Sequence, residues 1–116
     1  MAGPVKLAPT AESAPRIDPD RLAPLREFRA NPIGRHGPEL RAILSLLRSG
    51  DVAGKYCLIC VEPHAEWVIG RLSGQRGVAP TLADNRVFRS IEEAEWAVFK
   101  LRWHEAFGRA VDEDAL

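Results

Sequence analysis

The sequence predicts a small α+β domain: a three-stranded antiparallel sheet with two helices against it and an extended N-terminal arm. Three observations carry this. Residues 90–107, SIEEAEWAVFKLRWHEAF, repeat apolar side chains at helical spacing between clear start and stop signals. KYCLICVE and EWVIGRLS are short β-rich runs joined by PHAE. Pro4, Pro9, Pro15, Pro19 and Pro24 interrupt the first part of the chain at intervals too short for long helices or strands.

The elements follow in order. Residues 1–30 read as an extended, Pro- and Ala-rich arm, with room for one turn of helix around Leu25 to Arg29. Its spaced apolar residues Val5, Leu7, Ile17, Leu22, Leu25 and Phe28 suit an arm lying along a partner; a disordered tail is the plainer reading. Residues 31–108 form the domain proper. NPIGRHG is a turn-rich loop. PELRAILSLLRSG is an amphipathic helix that Pro38 can start. Leu40, Ile43, Leu44 and Leu47 form its apolar stripe, and Arg41 and Arg48 face out.

KYCLICVE is apolar on both sides, with Tyr56, Leu58 and Cys60 opposite Cys57, Ile59 and Val61. That pattern predicts a central strand covered on both faces. EWVIGRLS alternates Trp67, Ile69 and Arg71 with Val68, Gly70 and Leu72. GQRGVAPTLADN is a loop, and RVFR is the expected third strand. Residues 109–116 form an acidic, frayed tail.

The long helix raises the functional question. Ser90 and Glu93 match a capping box, and Gly108 stands where a helix often ends. Ile91, Ala94, Ala97, Val98 and Leu101 make one aliphatic stripe; Trp96, Phe99, Trp103 and Phe107 make an aromatic stripe opposite. A surface helix has one apolar face, so this one should lie between two layers. Either the first helix covers the aromatic stripe from within, or a partner does. A small chain has little material for three layers, and aromatics concentrate at interface centres. Trp96, Phe99, Trp103 and Phe107, with Trp67, Arg71 and Arg76, are therefore the expected partner interface.

Composition bounds the alternatives. The 116 residues are 46% hydrophobic and 28% charged with no net charge, so the chain is globular and carries no overall basic excess for nucleic acid. No apolar run could span a bilayer, and no secretory signal is visible. Cys57 and Cys60 without an export signal suggest free thiols and a cytoplasmic location. Their CxxC lacks a second ligand pair and falls in a strand, where the two point apart; buried small hydrophobes are the simpler reading. His36, His64 and His104 lie in three different elements with no diagnostic partner. GRLSGQRG matches neither a phosphate-binding loop nor a nucleophile elbow, though Arg71 and Arg76 could meet an anion or a partner there. No catalytic pair and no metal ligand set can be nominated.

A series of short motifs then resembles the small (light, alpha) subunit of N,N-dimethylformamidase. It runs from Asn31 to Trp103, about two-thirds of the chain: NPIG, HGPEL, GKY, Trp67 with Arg71, RGVAPTLADNRVF, then EEA followed by AVF and Arg102. The order is the distinctive feature, not any one motif. The resemblance implies hydrolysis of N,N-dimethylformamide to dimethylamine and formate by a hetero-oligomer. It also implies that a large partner chain holds a mononuclear iron and the catalysis, while this chain holds no cofactor and serves assembly. The arm departs from the family pattern, being richer in Pro and Ala. A second likeness, of WVIGRLSGQRG and the EEA helix to WGR-type nucleic-acid modules, would demand a basic face; a free-standing interaction module is a third reading.

Overall fold

The computed structural model describes residues 17–116, so the part of the arm carrying Val5 and Leu7 lies outside the described residues. Three helices and a three-stranded antiparallel sheet follow: α1 (Ala23–Ala30), α2 (Pro38–Leu47), β1 (Tyr56–Glu62), β2 (Glu66–Arg71), β3 (Thr81–Leu82) and α3 (Ile91–Phe107). The α+β class is as the sequence predicts. The arm is not extended throughout. Residues 23–30 form a helix of two turns because Pro24 sits in its first turn, where no amide is needed, and the next proline is Pro32.

The chain builds three layers. α1 and α2 cover one side of α3, and the sheet covers the other. On the helical side Leu25, Phe28, Leu40, Ile43, Leu44, Leu47, Phe99 and Trp103 form one buried cluster. On the sheet side Ile69, Ala97 and Val98 form a second, with Tyr56, Leu58, Phe88 and Leu101 around it. Burying each large side chain contributes roughly 1.5–3 kcal/mol, so the two clusters are the main source of stability. α3 is fixed at both ends. Ser90 Oγ accepts a hydrogen bond from the Glu93 amide at 3.3 Å, and Gly108 closes the helix in the left-handed conformation at φ 74°.

Two expectations about the sheet need correction. The strand order is β1-β2-β3, so β1 is an edge and β2 the centre. The third strand is Thr81–Leu82, paired to Gly70 and Arg71, and not RVFR. RVFR supplies a single bridge, where Phe88 exchanges backbone hydrogen bonds with Trp67 at 2.9 and 2.8 Å. Gly70 explains the close approach of three backbones. A Cβ there would stand 2.5 Å from Ile59 Cδ1 and 2.8 Å from the Thr81 carbonyl oxygen.

The tail docks on the helical layer. Val111 and Leu116 pack against the helical core, and Glu113–Ala115 form a short 3-10 turn. Arg26 donates to the Ala115 carbonyl at 3.1 Å, which ties the tail to α1.

Candidate functional site

The aromatic stripe of α3 lies inside the chain. Phe99 and Trp103 are each 2% exposed. Phe28 from α1 stacks on Phe99 with centroids 4.4 Å apart, and the ladder continues through Trp103 to Phe107, the last pair 4.3 Å apart. Such aromatic pairs add to area burial when offset or tilted. The expected partner face at Phe99 and Trp103 is therefore an internal contact with α1 and α2. Leu25 and Phe28, read as anchors on a partner, supply the missing layer.

Trp96 and Phe107 are only half-buried. Trp96 is ringed by cations, with Arg29 and Lys100 at 5.8 and 5.6 Å from its ring centre. Its indole N–H donates to Glu113 Oε1 at 3.2 Å, and Lys100 binds the other oxygen at 2.9 Å. The Lys100 bond, then the Trp96 bond, holds the Glu113 carboxyl below the usual carboxylate range.

Arg71 faces inward. It stacks on Tyr56 with its guanidinium carbon 3.9 Å from the ring centre, and it donates to the Tyr56 hydroxyl and to the Gly54 carbonyl at 2.6 Å. Glu105 on α3 completes the set at 3.2 Å. This locks β1 and β2 to α3. Trp67, half-buried, sits one pair away from the β1–β2 bulge, opposite Cys60. Arg76 is exposed in the loop after β2. The structure thus does not gather Trp67, Arg71 and Arg76 with the aromatic stripe into one surface.

A different apolar surface is open. Register places Cys57 and Ile59 beside Gly70 and Val68, and Leu82 beside Gly70, on the sheet face away from α3. Leu82 is 62% exposed, and Val61 at the bulge 54%. β1 is apolar on both faces: one meets α3, while on the other Cys57 and Ile59 are half-buried beside Gly70 with no second helix of the described residues packed over them. Periodicity marks such a strand as covered twice; it does not say whose atoms do the covering.

Among the described residues no three His, Cys, Asp or Glu side chains come together to hold a metal ion. Both cysteines are free thiols. His36 meets the Asn31 carbonyl at 2.7 Å, and His64 sits in the β1–β2 turn at φ 60°. No helix among the described residues is long and apolar enough to cross a membrane.

A family model described as the N,N-dimethylformamidase alpha subunit matches residues 16–113. The chain belongs to that family. The match reaches upstream of Asn31 and so takes in α1, the helix that covers the aromatic ladder. It also takes in Glu113 at the docked tail. No curated protein matches the chain. An alpha subunit is one part of a multi-subunit enzyme, which gives the open sheet face a physical rationale.

Proposed function

We propose that this chain is the non-catalytic small subunit of a hetero-oligomeric amide hydrolase acting on N,N-dimethylformamide or a related short amide, yielding dimethylamine and formate. The match over residues 16–113 carries the reading. In it, a large partner subunit holds the iron and the catalytic groups, and the small subunit supports its assembly and stability in the cytoplasm. No three His, Cys, Asp or Glu side chains come together among the described residues, and no catalytic step is assigned to them. The partner contact moves from the aromatic stripe to the outer sheet face, around Ile59, Val61, Val68 and Leu82. Val61 and Leu82 are exposed there beside the half-buried Ile59 and Val68, and apolar residues so placed are unfavourable in water and favourable once covered.

The test is purification by a tag on this chain from its native host. The reading expects one large, iron-containing chain at fixed stoichiometry and amide hydrolysis by the complex. A folded monomer with no companion would overturn it. The nucleic-acid alternative has no support from Arg71, whose guanidinium is bound to Tyr56, Gly54 and Glu105.

A further inference from the structure

An open groove of about 850 Å³ runs along the flank of α2, lined by Gly34, Arg35, His36, Arg41, Leu44, Ser45, Arg48 and Ser49. Its lining has three guanidiniums and no carboxylate. In a chain with equal numbers of acidic and basic residues this is a segregation of charge. Among the described residues, none of the six ion pairs uses Arg35, Arg41 or Arg48. Glu39, the one acid on α2, turns to Arg21 at 2.6 Å.

The geometry has a direction. Arg41, Ser45 and Arg48 fall at spacings of four and three, so they share one helical stripe about 10 Å long. Arg48 is close enough to Arg102 to disfavour its charge, second to the effect of burial. Arg102 in turn donates to the Tyr56 carbonyl of the edge strand at 2.8 Å. The cationic line therefore leads from the loop before α2 toward β1. Guanidiniums spread along two helical turns and the preceding loop match a chain segment carrying several carboxylates better than one small oxyanion.

We infer that this groove seats an acidic segment of the large partner subunit. The inference rests on the subunit reading above and adds a charged contact to the apolar one. Such a contact governs association rate and partner choice and weakens with salt.

The test uses the intact complex, purified through a tag on the small chain. Arg41→Glu with Arg48→Glu should weaken retention of the large chain at least tenfold and flatten its salt dependence. Arg109→Gln, at a residue that does not line the groove and pairs with Asp20, should change neither. Because charge reversal could disturb folding, Arg41→Lys supplies a second reading. A carbodiimide should then join Lys to an Asp- or Glu-bearing peptide of the large chain. If the folded double variant keeps the large chain with unchanged salt dependence, or the lysine joins no such peptide, the groove assignment is overturned while the subunit reading stands. If the wild-type chain brings down no large chain, the subunit reading fails and the inference with it.

Discussion

The aromatic side of α3 and the outer side of the sheet both carry large apolar residues, yet Trp103 is 2% exposed and Leu82 62%. The first surface is covered by α1 and α2. The second has no such cover among the described residues. An apolar face marks a need for burial, not the identity of what buries it. For α3 the need is met within the chain, because residues 23–30 fold as a helix and bring Leu25 and Phe28 to the ladder. For the sheet it is met, in our reading, by another subunit.

This contrast can be broken at several points. Trp103→Ala should have the largest effect, a loss of about 3–5 kcal/mol from the transfer and cavity terms. Denaturant unfolding of the chain, or the melting temperature of its complex, would read it. A negligible loss would mean that the ladder is not the core. Gly70→Ala should cost about 1–3 kcal/mol, because the added Cβ meets the Thr81 carbonyl, a backbone atom that cannot swing aside as Ile59 can. Loss of β3 protection in hydrogen exchange should accompany it.

Smaller effects sharpen the same picture. Ser90→Ala removes the N-cap acceptor and should cost about 1 kcal/mol, measured by the same unfolding curves. The tail should be sensitive to acid. Glu113 has its carboxyl lowered in the folded chain, so its contribution is present above the ordinary carboxylate range and is lost as pH falls through the lowered folded value. Trp96 fluorescence should report the release, and Glu113→Gln should abolish this pH dependence.

Much of the fold was legible. α3 stands as the residues predict in its serine N-cap, glycine stop and two stripes, though the Glu93 side chain does not close the capping box, and α2 and the β1–β2 hairpin stand as predicted too. α1 was legible only as one turn around Leu25 to Arg29, because the prolines upstream masked its start and extent. The signal was present in the proline-free stretch from Leu25 to Asn31, with Leu25 and Phe28 at helical spacing. The third strand was misplaced because two residues carry no periodicity. Val87 and Phe88 have stronger β preference than Thr81 and Leu82, but the pairing is set by the close approach that Gly70 allows. The candidate surfaces were the least legible. Edge and central strands of equal hydrophobicity read alike, and Arg35 meets Arg41 and Arg48 only once the loop folds beside α2.

The most direct measurement is the subunit composition of the complex captured through the small chain carrying Val61→Glu and Leu82→Glu. Both residues are more than half exposed, so the chain alone should keep its circular dichroism and lose no more than about 0.5 kcal/mol of stability. If the outer sheet face is the partner contact, the folded variant no longer retains the large subunit that the wild-type chain brings down. Full retention by the variant, at wild-type stoichiometry, would contradict it.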